Sequence, residues 1–219
     1  MKICIATTPI RPNPTIYPPF GSMAIIQSLR NIGEDVSFFH LDYFRYSHDE
    51  IVKYFKTNQF DMVGISAVVS TAYQYTKYLT KLIKSIKKET VVFLGGGLAA
   101  SAEILHHKAN IDYCVLGDGE IISQNLIKAI RENKTSDADL EKIKGISYLD
   151  SNRKFKFTGY DHPLPADMIE RPDFGILKEI NCLDYYLKGP KDMIAKFTNM
   201  NPELKIHKVP GAAVVVVAK

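Results

Sequence analysis

The sequence predicts an α/β fold built on a doubly wound parallel sheet of about five strands. From Met1 to about Arg131, short β-branched runs alternate with longer stretches at helical spacing. The runs are apolar almost throughout, as strands buried on both faces are. Loops rich in Gly, Pro and hydroxyl residues follow four of those runs.

Taken in order, the first strand is expected over Lys2–Thr7. The loop after it, Thr8–Gly21, carries Pro9, Pro12, Pro14, Pro18 and Pro19, which make it long, stiff and non-helical. Loops of that length in compact domains are usually functional. A helix over Gly21–Ile32 leads to a strand over Asp35–His40, and a helix over Asp49–Thr57 leads to a strand over Met62–Ala67. Further helices are expected over Thr71–Lys87, Ser101–His107 and Glu120–Glu132, interleaved with strands over Thr90–Leu94 and Tyr113–Leu116. Right-handed crossovers place the helices on both faces of the sheet. Five strands in this rhythm suit a Rossmann-like, flavodoxin-type order, in which the loops at the strands' carboxyl ends converge on a ligand crevice.

Beyond this unit, assigned to residues 1–145, Asn133–Lys144 is polar with little periodicity. Gly145–Phe157 reads as a β-hairpin accessory to the first domain, and Pro163, Pro165 and Pro172 mark a linker, so residues 146–208 are taken as hairpin and linker. Residues 209–219 end in the apolar run Ala212–Ala218, which reads as the first strand of a further domain cut short. An unpaired hydrophobic edge strand is an aggregation hazard, hence the expectation of truncation.

Composition narrows the function. Basic and acidic residues, 28 and 24, are interspersed, and Lys84–Lys88 reads as a solvated helix face rather than a nucleic-acid patch. Cys4, Cys114 and Cys182 are widely spaced without a signal pattern, which fits a reducing cytoplasm. The cysteines Cys4 and Cys114 fall within strands and read as small core residues. No apolar run reaches the length of a membrane span, so no membrane partner is expected.

The candidate ligand residues lie in the four loops. In the first they are Thr8, Pro9 and Gly21. After the third strand come Ser66, Val68, Ser70 and Thr71; Ser70 or Thr71 either caps the following helix or faces a ligand, whereas Ser66 sits where the strand meets the crevice. The run Gly95-Gly96-Gly97 either makes a tight turn or lets the backbone approach a large flat ligand, Gly96 above all. In Gly117-Asp118-Gly119-Glu120, Gly117 gives freedom of turn and Glu120 suits a helix start with or without a ligand.

In order and spacing, these pieces resemble the cobalamin-binding domain at the amino terminus of many radical S-adenosylmethionine enzymes. Pro18-Pro19-Phe20-Gly21 is similar to that family's Pro-Pro-x-Gly. Asp61-Met62-Val63-Gly64-Ile65-Ser66 is similar to its Asp-x-Val-Gly-Ile-Ser strand, Gly95-Gly96 to its Gly-Gly turn, and Gly117-Asp118-Gly119-Glu120 to its Gly-Glu-Gly-Glu turn. The resemblance covers about the first 185 residues. It implies a corrinoid cofactor, cobalamin, and a parent enzyme with a C-terminal radical domain, a [4Fe-4S] cluster, S-adenosylmethionine and a small-molecule substrate. Methyl transfer, ring formation or rearrangement is the implied chemistry, with methyl transfer the commonest.

Two departures stand out. Thr7–Gly21 holds no histidine where cobalamin domains with Asp-x-His-x-x-Gly supply a lower cobalt ligand, so cobalamin either binds with its nucleotide tail tucked into the sheet or does not bind. The remaining histidines, including His106-His107, read as surface residues. No C-x-x-x-C-x-x-C motif is present, so the chain is not expected to be catalytic alone. The competing reading is a flavodoxin- or receiver-like binding module; a receiver wants aspartates after the first strand, where Thr7-Thr8-Pro9 offers none, and G-x-G-x-x-G is missing. A sugar-nucleotide transferase half-domain would need an acidic metal pair that the sequence does not display.

Overall fold

In the computed structural model residues 1–187 are described; the strand expected within residues 209–219 lies outside them. One seven-stranded sheet organises the chain: β1 (Lys2–Thr7), β2 (Asp35–Phe39), β3 (Met62–Ser66), β4 (Val91–Gly95), β5 (Tyr113–Val115), β6 (Ile146–Leu149) and β7 (Phe155–Phe157). Their order is β2-β1-β3-β4-β5-β6-β7. The first five pair in parallel, in the doubly wound order expected, and each predicted strand ends within a residue of its observed bounds.

Strand alternation sorts the core into two layers. Ile3, Ile5, Met62, Phe93 and Val115 pack under α1 (Phe20–Asn31), which supplies Met23, Ile26 and Leu29, and α6 (Gly119–Arg131), which supplies Ile122, Leu126 and Ile127. Cys4, Ala6, Val63, Ile65, Val92 and Leu94 face the other way. There they meet α3 (His48–Asn58), α4 (Tyr73–Ile86) and α5 (Ala102–Lys108) through Phe55, Leu79, Ile83 and Leu105. The α3 helix starts where Ser47 and Glu50 form a reciprocal capping box. Three short helices stand outside the sequence expectation: α2 (Leu41–Phe44), α7 (Asp137–Leu140) within the polar 133–144 stretch, and α8 (Gly175–Glu179) within the expected linker.

The hairpin is a continuation of the sheet. Strand β6 pairs antiparallel with β5, Cys114 opposite Ser147, and so covers a backbone edge that the five-stranded unit would leave open. Ser147 brings a correction with it: His106 is buried, not on the surface. Its Nδ1–H donates to the Ile111 carbonyl at 3.0 Å, and its Nε2 lies 3.0 Å from Ser147 Oγ. Burial lowers the His106 pKa accordingly. His107, next in sequence, is exposed as expected. Cys4 and Cys114 are core residues, with burial pushing both thiols up to about 12.

Past the proline-rich segment, the chain returns to the α1 side of the sheet. Ile176 and Leu177 of α8 (Gly175–Glu179), then Cys182 and Tyr186, are buried in that core. The basic run is more than a solvated face: Lys84 Nζ lies 2.6 Å from Asp112 Oδ2, and Lys87 pairs with Asp61 at 3.2 Å. Both tie α4 to the amino-terminal ends of strands. Among the described residues no helix is long and apolar enough to cross a membrane.

Candidate functional site

A cavity of about 590 Å³ opens at the carboxyl edge of the parallel strands, on the α1/α6 side. Its sheet wall consists of two cross-strand rows fixed by register. Thr7, Ser66 and Gly95 form the rim row, and Ile5, Gly64 and Phe93 the row beneath it. Facing them are Ser22 and Ile25 of α1 and Ser123 of α6. The cavity exists because small residues stand where neighbouring turns of the same elements carry large ones.

The glycines divide by what surrounds them. At Gly64 an added Cβ would fall on the Phe93 ring and 2.6 Å from Ile5 Cδ1, so its absence lets those side chains close the cavity floor. At Gly95 and Gly21 an added Cβ would meet nothing within 4 Å. At Gly96, where φ is +91°, it would lie 2.7 Å from the Ala67 carbonyl oxygen. Gly96 lines the cavity and its positive φ makes the turn, while Gly95 presents the open face. Gly97 is likewise structural, since its Cβ would run into the Val68 carbonyl, and it does not line the cavity.

Of the other expected residues, Thr8, Gly21, Ser66, Val68, Gly117 and Glu120 line the cavity together with Gly95 and Gly96, while Pro9, Ser70 and Thr71 do not. Ser70 and Thr71 lie exposed in a 3₁₀ turn and cap nothing; Thr71 Oγ1 reaches only the Ile10 carbonyl, at 3.5 Å. Thr8 is buried, and its hydroxyl donates to the Ser66 carbonyl at 3.1 Å. Gly117 takes φ +111°, the left-handed turn that lets the chain enter α6.

Sequence reasoning missed a buried polar group at the end of β2. His40 lines the cavity, with Nδ1 at 2.8 Å from Thr7 Oγ1 and Nε2 at 2.5 Å from the Tyr186 hydroxyl. Burial lowers its pKa to about 4, with the Asp42 charge working in the opposite direction, so at neutral pH the ring is uncharged. Both ring nitrogens are engaged, so the single lone pair of the neutral ring is not free for a metal. Asp42, also buried and lining the cavity, accepts from the Thr15 backbone N–H at 2.9 Å and from Arg45 at 2.9 Å.

Three buried side-chain atoms among the described residues have no hydrogen-bond partner: Thr15 Oγ1, Ser22 Oγ and Thr76 Oγ1. Two of them, Thr15 and Ser22, line this one cavity. An unpaired buried hydroxyl costs about 1–3 kcal/mol, so their concentration here fits a ligand with polar atoms to offer. Charge narrows the ligand further. The ionisable lining comprises Asp42, Asp118, Glu120, His40 and Tyr17, with no lysine or arginine. A ligand rich in amides suits such a wall; a phosphate-rich one does not.

Comparison with known proteins places the fold. Residues 11–127, more than half of the chain, match the B12-binding domain family. The chain belongs to that family. No curated protein matches it by sequence. Among solved structures, this B12-binding domain is similar to OxsB, a cobalamin-dependent S-adenosylmethionine radical enzyme with aqua-cobalamin and S-adenosylmethionine bound. The TM-score is 0.66 at 16% identity, over 83% of this chain and 25% of that one. It is also similar to the radical S-adenosylmethionine methyltransferase TsrM from Kitasatospora setae, with cobalamin and a [4Fe-4S] cluster bound. There the TM-score is 0.59 at 20% identity, over 78% of this chain and 31% of that one. The chain thus spans a quarter to a third of the length of the solved proteins it resembles.

Proposed function

We propose that this B12-binding domain holds cobalamin in the cavity at the carboxyl edge of β1, β3, β4 and β5, and serves a longer cobalamin-dependent radical S-adenosylmethionine enzyme. The observation that carries the reading is the cavity itself: it gathers four loops, two unpartnered buried hydroxyls and an open glycine face without a single cationic side chain. Cobalamin offers a periphery of neutral amides and a flat heteroaromatic base. A flavin mononucleotide or a dinucleotide would bring a doubly charged phosphate or pyrophosphate to a wall holding three carboxylates, against the single phosphodiester charge of cobalamin, which makes the flavodoxin-like reading the weaker one.

When bound, cobalamin supplies a cobalt centre able to carry a methyl group. This chain's residues bind and orient it: Ser66, Thr15 and Ser22 offer hydroxyls, Gly21 and Gly95 permit close approach, and Ile5, Phe93 and Val115 exclude water. The iron–sulfur cluster, S-adenosylmethionine and the small-molecule substrate belong to the rest of the parent enzyme, for which methyl transfer is the leading reaction, ahead of ring formation or rearrangement. Cobalt is expected to receive no imidazole from this domain, since the first loop lacks histidine and both nitrogens of His40 are engaged.

Titration of the purified chain with hydroxocobalamin tests the proposal. A shifted corrinoid spectrum and co-elution on gel filtration are expected; a free-cofactor spectrum with no retention would refute it. In bound cob(II)alamin, electron paramagnetic resonance should show no nitrogen splitting from a protein imidazole. Such splitting would overturn the assignment of His40 to a structural role.

A further inference from the structure

We infer that Tyr186, by donating its hydroxyl proton to His40, holds that ring as the Nδ1–H tautomer and so leaves the Thr7 hydroxyl free to donate into the cavity. The inference rests on the cobalamin reading, in which the acceptor for Thr7 is a side-chain amide carbonyl at the edge of the corrin. Tyr186 is then a positioning residue, acting on the ligand through His40 and Thr7. It belongs to the segment after α8, 146 residues along the chain from His40.

Three side chains, each at most 5% exposed, form the chain of contacts. Tyr186 Oη lies 2.5 Å from His40 Nε2, and His40 Nδ1 lies 2.8 Å from Thr7 Oγ1. The Asp42 backbone N–H donates to the same Thr7 oxygen at 3.1 Å. Phe38, stacked on the imidazole at 4.9 Å, holds the ring in its plane. Burial keeps His40 uncharged at neutral pH, so it carries one proton and one lone pair, and the contacts can be wired in two ways only. With the proton on Nε2, His40 donates to Tyr186 and Thr7 donates to Nδ1. The Tyr186 proton is then left over in the core, because its hydroxyl makes no other hydrogen bond among the described residues, and a buried donor without a partner is costly. With the proton on Nδ1, Tyr186 donates to Nε2, and Thr7 Oγ1 accepts from both His40 and Asp42. Every proton in the core is then used, and the one left over belongs to Thr7. The Asp42 carboxylate does not take it, bonding instead to the Thr15 N–H and to Arg45. Thr7 stands in the rim row of the cavity beside Ser66, where a ligand's carbonyl can accept that proton.

The test reads the ring first and the ligand second. Long-range proton–nitrogen correlation spectra of the chain carrying isotopically labelled histidine should show His40 protonated at Nδ1 and bare at Nε2 in the wild type. Tyr186→Phe removes the donor that keeps Nε2 bare, so the Nε2–H form should appear and hydroxocobalamin affinity should fall roughly two- to fivefold. Thr7→Val should lower that affinity roughly three- to tenfold, whereas Thr7→Ser, which keeps the hydroxyl, should bind as the wild type does. In the Thr7→Val background Tyr186→Phe should cost no further affinity, since no donor remains to be steered; a merely structural tyrosine would cost the same in both backgrounds. A wild-type ring protonated at Nε2, or equal losses from Tyr186→Phe with and without the Thr7 hydroxyl, would overturn the role given to Tyr186 while leaving cobalamin binding intact. Failure of the wild type to bind hydroxocobalamin would instead overturn the cobalamin reading and this inference with it.

Discussion

Gly95 and Gly96 are adjacent in sequence, yet the structure assigns their substitutions opposite effects on stability. At Gly95, the last residue of β4, a valine Cβ meets nothing within 4 Å and the backbone is ordinary, so replacing a strand glycine should stabilise the empty protein by about 0.5–1 kcal/mol. In a chain of this size that raises the melting temperature by about 1–4 °C. The same side chain projects into the cavity, where overfilling a fitted site costs about 1–3 kcal/mol, a loss of roughly 5- to 150-fold in cobalamin affinity. At Gly96 the valine must adopt φ near +91° with its Cβ 2.7 Å from the Ala67 carbonyl oxygen, at a strain cost of about 1–3 kcal/mol before the clash is counted. Its melting temperature should fall by several degrees. Calorimetry of both empty variants, with parallel hydroxocobalamin titrations, reads all of these quantities. Wild-type affinity in Gly95→Val would refute the placement of the ligand against the rim row, and an unaltered melting temperature in Gly96→Val would refute the division of roles between the glycines.

Two further outcomes follow from the geometry. Gly64→Ala forces the Phe93 ring and Ile5 Cδ1 away from the sheet, so stability should fall by about 1–3 kcal/mol in urea unfolding. Acid should destabilise the fold through His40: its folded pKa near 4 lies below the unfolded value, so the unfolded chain takes up the proton first, and stability complete above about pH 6.5 is lost as pH falls toward 4. The loss between pH 7 and pH 5 is about 2 kcal/mol. His106, also lowered by burial, adds in the same sense, so the contribution of His40 is read as the slope removed in His40→Gln.

Much of the fold was legible because parallel strands buried on both faces announce themselves as apolar runs, and all five did. The four loops were legible through glycine, proline and hydroxyl residues at the strand ends. The direction of each Cβ vector was not legible. Within Gly95-Gly96-Gly97, composition treats three residues alike, whereas the pleat turns one toward the cavity and the turn geometry points the other two into backbone. Histidine burial was missed for a related reason. His40 and His106 stand at the ends of a strand and a helix, where a polar residue usually meets water, and their partners Tyr186 and Ser147 are 146 and 41 residues away. Pairing of β6 with β5 was hidden too, since a short alternating strand reads equally well as a free hairpin.

The two faces of the sheet show how a packed α/β unit makes room for a large ligand without losing its frame. On the α3/α4/α5 side, Phe39 stacks on Tyr54 at 3.8 Å and on Tyr46 at 5.1 Å, at the carboxyl end of β2. On the α1/α6 side, Met62 and Leu126 fill the amino-terminal half, while Gly21, Ser22, Gly95 and Ser123 thin the carboxyl half. A void of that kind forfeits packing, and unpartnered hydroxyls within it forfeit hydrogen bonds, so the cavity is a standing cost to the empty protein. A ligand that fills the cavity and satisfies Thr15 and Ser22 returns both terms together. Binding should therefore stabilise the fold by more than the hydroxyl contacts alone, with most of the gain in α1, which borders the cavity along its first turn. Hydrogen exchange of the α1 amides with and without hydroxocobalamin measures this directly, and protection gained only in the surface loops would contradict it.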